Sequence, residues 1–157
     1  MRIGVGYDLH PLKEGRSLVI GGVNIDYRLG LDGHSDADVL THAVIDAILG
    51  AAGLGDIGAH FPPDDTRYEG ASSLDLLAEA SRVVTNAGFR VVNVDSTVVA
   101  QAPRLQPHLA EMSANIARCL GLDRGAVSVK ATSPEGVGAI GAGAAIAAHA
   151  VSLIEDQ

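Results

Sequence analysis

Two groups of residues carry side chains and spacings suited to chemistry. The first is Asp8-Leu9-His10. On a strand, residues two apart point the same way with Cα atoms ~6.6 Å apart, so a carboxylate and an imidazole can converge on one cation. The second is His34-Ser35-Asp36-Ala37-Asp38, followed by His42 and Asp46. Asp38, His42 and Asp46 lie four apart and share one face of a helix. A histidine flanked in this way can ligate a metal through one ring nitrogen while an aspartate orients the other. His34 and Ser35 precede the helix, where free amides and the dipole favour an anion. Both groups also admit a plainer reading. Asp8 and His10 can be strand-end surface residues, and Ser35, Asp36 or Asp38 can simply cap the helix.

Together, Asp8, His10 and His42 offer an oxygen and two nitrogens. Three protein ligands with one open position describe a catalytic zinc site, and manganese or cobalt fits the same donors. Further along, Thr132-Ser133-Pro134-Glu135 brings two hydroxyls and a carboxylate to one loop. Such a loop can hold phosphate oxygens and a Mg²⁺ ion, or form an ordinary turn. Gly136-Val137-Gly138-Ala139-Ile140-Gly141 is a literal G-x-G-x-x-G, but a dinucleotide fingerprint needs a full βαβ unit and an acidic residue ~20 residues on. His60, His108 and His149 have no spaced partners and read as structural or surface residues. Cys119 reads as a small core residue.

Elements must position these groups. Residues 2–9 read as a strand with Ile3, Val5 and Tyr7 on one face and Asp8 and His10 on the other. Residues 17–25 are extended, with a bend or bulge at Gly21-Gly22. A loop over 29–38 leads into a helix from Val39 that ends at Gly50 to Gly53. After a loop over 54–66, a helix is predicted over 72–87, a strand over 91–100, a helix over 107–120 and a short strand over 127–131. The tail over 144–154 is ambiguous. Its alanines favour helix, while Ile146, Ala148, Ala150, Ser152 and Ile154 can form one face of a strand. No repeat or boundary divides residues 1–157, so one α/β or α+β domain is expected.

Composition excludes several roles. The net charge is −8 with scattered basic residues, which argues against a nucleic-acid groove. No run of ~18 apolar residues exists to span a membrane, and the first residues lack a signal-peptide core. The single cysteine fits a reducing, cytoplasmic setting. With three Tyr, two Phe and no Trp, the core must be built from Val, Ile, Leu and Ala, and subunit contacts would help cover it.

The stretches GYDLH (6–10), IGGV (20–23), GHSDADVLTHAVIDAILGAAGLGDIGAHFP (33–62), VDSTVVAQAP (94–103) and VKATSPE (129–135) appear in order along nearly the whole chain. In them the chain resembles the 2-C-methyl-D-erythritol 2,4-cyclodiphosphate synthase family, the cyclases of the non-mevalonate isoprenoid pathway. The resemblance implies zinc, or another divalent metal such as manganese, on Asp8, His10 and His42, with magnesium or manganese on Glu135. It implies phosphate contacts at His34 and Ser35, with His34 and Ser133 acting on the reacting phosphates. Asp56, Ile57 and Gly58 would meet the erythritol hydroxyls. Ala100, Pro103, Arg104, Leu105, Ala131, Thr132 and Ser133 would hold the cytidine of a cytidine diphosphate substrate. The implied fold is α+β: a ferredoxin-like, mixed four-stranded sheet with helices on one face. In that fold the tail is a strand, and the assembly is a homotrimer with active sites between subunits. The implied reaction is attack of a 2-phosphate on the β-phosphorus of the substrate's own diphosphate, expelling CMP.

The chain departs from the family pattern at Ala139 and Ala142, where an aromatic and an arginine usually line a trimer-axis cavity proposed to bind a prenyl diphosphate. Alanine at both positions predicts that this axial charge recognition is lost. Pro63 and Pro134 also depart, and neither removes a zinc ligand or Glu135. Two other functions compete with cyclisation: a metal-dependent phosphohydrolase, and a non-catalytic module that binds a nucleotide or a prenyl diphosphate.

Overall fold

The computed structural model describes residues 1–157 as an α+β fold. Its strands are β1 (Arg2–Lys13), β2 (Leu18–Ile20), β3 (Val23–Ile25), β4 (Gly30–Leu31), β5 (Phe89–Val99), β6 (Val127–Thr132) and β7 (Ala145–Asp156). Its helices are α1 (Val39–Ala52), α2 (Ile57–His60), α3 (Ser73–Asn86), α4 (Leu109–Leu120) and α5 (Gly138–Gly141). The main sheet has order β4-β1-β7-β5-β6, so it has five strands rather than the four expected, because the short β4 joins the β1 edge. It is mixed: β5 and β6 are parallel and the other pairs antiparallel. No helix is long and apolar enough to cross a membrane.

Alternation along β1 decides which residues face the helices. Gly4 and Gly6 lie under α1, where a Cβ would sit 1.9 Å from the carbonyls of Ala47 and Ala43. Asp8 and His10 continue the same face. Two missing side chains therefore let α1 settle onto the sheet close enough for His42 to reach β1. Twelve of the fourteen residues of α1 are buried, as expected for a helix covered on all sides. Its Asp38 cap is wholly buried and ties three segments. Oδ1 accepts the Gly21 and Thr41 N–H groups at 2.8 and 3.0 Å; Oδ2 accepts the Gly22 N–H at 2.7 Å and the Thr41 hydroxyl at 2.8 Å. Burial still pushes this carboxyl above its ordinary range.

The structure resolves the tail as strand. β7 is hydrogen-bonded to β1 on one side and β5 on the other, and Ile146, Ala148, Ala150, Ser152 and Ile154 form its buried face. Alanine's helix preference yields here because two full ladders and a close-packed helix favour small side chains on a pleated surface. Several features differ from the sequence expectation. The segment expected as a loop over 54–66 folds at Ile57–His60 into the short helix α2. β1 runs on to Lys13 because Leu12 and Lys13 find partners in β4. The bend at Gly21-Gly22 is a complete hairpin turn between β2 and β3, with both glycines at positive φ (57° and 69°). The G-x-G-x-x-G stretch is a loop and a single helical turn packed back on itself. No βαβ unit surrounds it.

Candidate functional site

β1 supplies Asp8 and His10 from adjacent same-face positions, and the first turn of α1 supplies His42. Asp8 Oδ2 lies 2.9 Å from His10 Nε2 and 2.9 Å from His42 Nδ1, and the two ring nitrogens are 3.2 Å apart. The outward nitrogens fix the tautomers. His10 Nδ1 is 2.8 Å from the Asp32 carbonyl, which can only accept, so Nδ1 carries the proton and Nε2 offers its lone pair. His42 Nε2 lies 2.9 Å from Ser73 Oγ and 3.1 Å from Ser35 Oγ. The Ser73 hydroxyl donates to the Asp36 carboxylate, so its oxygen accepts the His42 Nε2–H. Nδ1 then offers its lone pair toward Asp8.

Three acceptors thus converge, one oxygen and two nitrogens, all within 4.8 Å of one another. This donor set fits a divalent cation with an open coordination position. Burial alone would raise the Asp8 carboxyl, but a ring that takes up a second proton in place of a cation donates to it, and such bonds from His10 and His42 outweigh burial and hold the group well below the carboxylate range. For His10, burial lowers the basicity and the Asp8 carboxylate more than restores it, so the net shift is upward.

One expectation about this site is corrected. Asp38 and Asp46 share a helix face with His42 but neither orients it. Asp38 is turned to the β2–β3 hairpin, and Asp46 accepts the Ile57 N–H at 2.7 Å. The orienting groups are Ser73, at the start of α3, and Asp36, which also accepts the Ser73 N–H at 3.0 Å. Residues 36 and 73 are far apart in sequence, so no local spacing could have revealed the pair; only the docking of α3 on α1 creates it. Ser73→Ala is expected to weaken metal binding by roughly ten- to a hundredfold, the usual range for losing such a partner. Competition with a metal chelator measures it, and an unchanged affinity would remove Ser73 from this role.

The metal group forms the floor of a cleft of ≈ 250 Å³ that also takes in His34, Ser35, Ile57 and Gly58. Asp56 caps α2 beside them through a 2.9 Å bond from the Ala59 N–H. Ser35 is buried, whereas His34 is exposed and donates from Nε2 to the Asp65 carbonyl at 3.3 Å. Phe61, Tyr68 and Leu76, which the sequence did not single out, form an apolar wall with Pro63, one of the departures from the family pattern. Phe61 and Tyr68 meet edge to face at 5.4 Å.

Ala100, Pro103, Arg104, Leu105, Ala131, Thr132 and Ser133 line a separate depression of ≈ 300 Å³. Its loop contains a cis Ala102–Pro103 peptide. Gln101 Oε1 accepts the Gly136 N–H at 2.9 Å and the Ser133 hydroxyl at 3.4 Å, and Ser133 Oγ accepts the Glu135 N–H at 3.0 Å. Glu135 is held exposed with φ of 53°, a conformation a non-glycine residue seldom adopts. Within one chain the structure therefore brings Asp8, His10, His34, Ser35, His42, Ile57 and Gly58 together, but Ser133 and Glu135 do not join them. His60 bonds the Leu54 carbonyl at 2.8 Å, His149 meets the Tyr7 ring at a tilt of 47°, and Cys119 packs half-buried against the core, all outside the cleft.

Relatives share this framework. The chain is 60% identical over 157 residues to the 2-C-methyl-D-erythritol 2,4-cyclodiphosphate synthase of Desulfosudis oleivorans, covering 100% of this chain and 94% of that one. It is 59% identical to the synthase of Syntrophomonas wolfei, covering 99% of each. Among solved structures, the bifunctional IspDF from Campylobacter jejuni superposes with a TM-score of 0.95 at 42% identity, over 99% of this chain and 42% of that longer one. A CDP-bound 2C-methyl-D-erythritol-2,4-cyclodiphosphate synthase superposes with a TM-score of 0.90 at 36% identity, over 98% of this chain and 100% of that one. The YgbB family model matches residues 1–155, and the chain belongs to the YgbB family.

Proposed function

We infer that the chain is a phosphorus–oxygen lyase. It converts 4-diphosphocytidyl-2-C-methyl-D-erythritol 2-phosphate into 2-C-methyl-D-erythritol 2,4-cyclodiphosphate and CMP, in the non-mevalonate route to isoprenoid precursors. The observation that carries this reading is the convergence of the Asp8, His10 and His42 lone pairs on the floor of an anion-sized cleft, in a chain with this family membership.

Both reacting groups are anionic, so catalysis is mainly positioning and charge stabilisation. Zinc held by Asp8, His10 and His42, and magnesium held by Glu135, would supply positive charge that an acidic chain lacks. The chain's own residues do the rest. The N–H groups of Gly33, His34 and Ser35 donate to nothing within the protein, and they are available to phosphate oxygens beside the metal ligands. His34, held through Nε2, presents its ring at the cleft wall to the developing charge. Asp56, Ile57 and Gly58 meet the erythritol hydroxyls. Ala100, Pro103, Arg104, Leu105, Ala131 and Thr132 hold the cytidine, and Ser133 steadies the reacting diphosphate. Ile57, Phe61, Pro63, Tyr68 and Leu76 exclude water, which favours ring closure over hydrolysis.

The two depressions become one site when a second copy brings its Ser133 side to the metal side. Asp8 registers with Ala148, Ala148 with Val98 and Val98 with Ala131. Three interstrand steps of ~4.8 Å put the two half-sites about 14 Å apart in one chain. Ile3, Val5, Tyr7, Leu9 and Val151 stand 71, 69, 49, 42 and 42% exposed on the sheet face that carries no helix. A patch of this kind marks a protein interface, and a closed homotrimer of a ferredoxin-like core, working in the cytoplasm, satisfies both features. Val5→Asp is expected to yield monomers in sedimentation equilibrium; a wild-type monomer would sink the trimer.

The reaction is tested by incubating the protein with the diphosphocytidyl substrate, Zn²⁺ and Mg²⁺. Cyclic diphosphate in ³¹P NMR with equimolar CMP is expected. A linear phosphate would indicate a hydrolase, and unchanged bound substrate a binding module. Glu135→Gln is expected to raise the Mg²⁺ needed for half-maximal rate by roughly tenfold without altering Tm, since the side chain is exposed. An unshifted Mg²⁺ titration would count against its role.

A further inference from the structure

We propose that Arg16 is a positioning residue for the phosphate-binding segment Gly33–Ser35. It turns that segment's amides toward the cleft while never touching substrate. The proposal rests on the functional reading above. Arg16 lies in the turn between β1 and β2 and reaches across to the loop that joins β4 to α1. Its Nε donates to the Leu31 carbonyl at 3.2 Å, and a terminal nitrogen donates to the carbonyls of Gly33 at 2.9 Å and Ser35 at 3.0 Å. The intervening His34 carbonyl accepts the Gly70 N–H at 2.9 Å. Every carbonyl from Gly33 to Ser35 is therefore engaged on the protein side, and every amide of the same three residues is left without a protein partner. A peptide N–H points opposite the carbonyl of the preceding residue, so Arg16 on the Gly33 carbonyl directs the free His34 N–H, and its bond to the Ser35 carbonyl anchors the far end of the segment, while Gly70 on the His34 carbonyl directs the Ser35 N–H. A row of successive free amides is an anion-binding concavity.

Electrostatics add to the geometry. Arg16 is half-buried and has no carboxylate within ion-pair distance, whereas the neighbouring Lys13 is paired with Asp32 at 3.3 Å. Three neutral carbonyls satisfy the guanidinium without cancelling its charge. An unneutralised cation therefore stands directly behind the anion site of a chain whose net charge is −8. Arg16 does not line the metal cleft but opens on the opposite groove beside Asn24 and Tyr27. It acts only through the loop. A lysine carries the same charge but cannot reproduce the guanidinium fork.

The test compares Arg16→Met, Arg16→Lys and Lys13→Met in the metal-loaded full chain. Lys13→Met removes one positive charge near the same loop, a paired one, without touching these carbonyls. Arg16→Met is expected to raise KM for the diphosphocytidyl substrate by roughly ten- to a hundredfold, with a smaller change in kcat and unchanged zinc content. Arg16→Lys should fall between it and wild type, and Lys13→Met should match wild type. Amide hydrogen exchange at Asp36 and Gly70, which are bonded to Ala71 and His34 carbonyls, should quicken in Arg16→Met, less in Arg16→Lys, and not in Lys13→Met. An Arg16→Met protein with wild-type KM and wild-type exchange would overturn the proposal. So would a fall in kcat or Tm with KM unchanged, since that marks a merely structural residue. If the wild-type protein makes no cyclic product, the functional reading fails by itself. The exchange measurement still decides whether Arg16 holds the loop.

Discussion

His42→Ala is expected to fold, to lose tight zinc binding, and to turn over substrate at least about a thousandfold more slowly. The fold should survive because His42 lies at the cleft floor, where water can reach the Ser35 and Ser73 hydroxyls it leaves behind. Metal binding should not survive, since only Asp8 and His10 remain of the converging lone pairs. A metal that offsets charge at a phosphoryl centre contributes several kcal/mol to the transition state, and each 1.36 kcal/mol is about tenfold in rate. Excess zinc should not restore the rate, whereas it should restore Ser73→Ala, which keeps all three ligands and loses only the group that orients one of them. Metal analysis of the dialysed protein, with kcat at saturating Zn²⁺, separates the two variants. Full zinc occupancy in His42→Ala would sink the assignment of the metal group.

The largest effect on stability is expected from Gly6→Ala. The added methyl would lie 1.9 Å from the Ala43 carbonyl oxygen and 2.8 Å from the Ala47 nitrogen. Both are backbone atoms of α1, so no rotamer change can relieve the clash. Either the helix lifts or β1 shifts, at a cost of about 3 kcal/mol or more, the upper end for overpacked cores. The same movement separates His42 on α1 from Asp8 on β1, which now lie 2.9 Å apart, so metal affinity should fall with stability. Gly50→Ala makes the contrast. It places the same methyl on the outer side of α1 with nothing within 4 Å, and is expected to stabilise by about 0.5–1 kcal/mol through helix propensity. Denaturant melts of both variants give the comparison; equal signs would show that the close approach of α1 to β1 does not limit this fold.

These two glycines also show where sequence reading stops. The alternation of Asp8 and His10 with Ile3, Val5 and Tyr7 is written in the chain, because a strand has a period of two. Which face meets the helices is not, and the apolar one turned out to be the bare one. An apolar face on a strand promises burial but does not say whether the cover comes from the same chain. The tail was undecided for a related reason. Alanine's local preference for helix is a fraction of a kcal/mol per residue, too small to oppose the ladders that β1 and β5 offer β7 once they are assembled.

The metal site divides along the same line. Residue type and spacing offered Asp8, His10 and His42 as three convergent donors beside a plainer reading as strand-end and surface residues, and the motif resemblance favoured the metal. Motif resemblance placed His34 and Ser35 beside them, and the cleft brings both to its wall. The partners that make the ligands usable were decided only by tertiary structure. The i±4 rule pointed to Asp38 and Asp46, yet both carboxylates were drawn off by unpaired backbone amides of the β2–β3 hairpin and of α2. Ser73 with Asp36, and Arg16 with the Gly33 and Ser35 carbonyls, meet across chain separations that no local periodicity encodes. Short-range geometry fixes what a strand or a helix can present. Which polar groups satisfy one another is settled when the elements dock, since every buried donor and acceptor must then find whatever partner lies within reach.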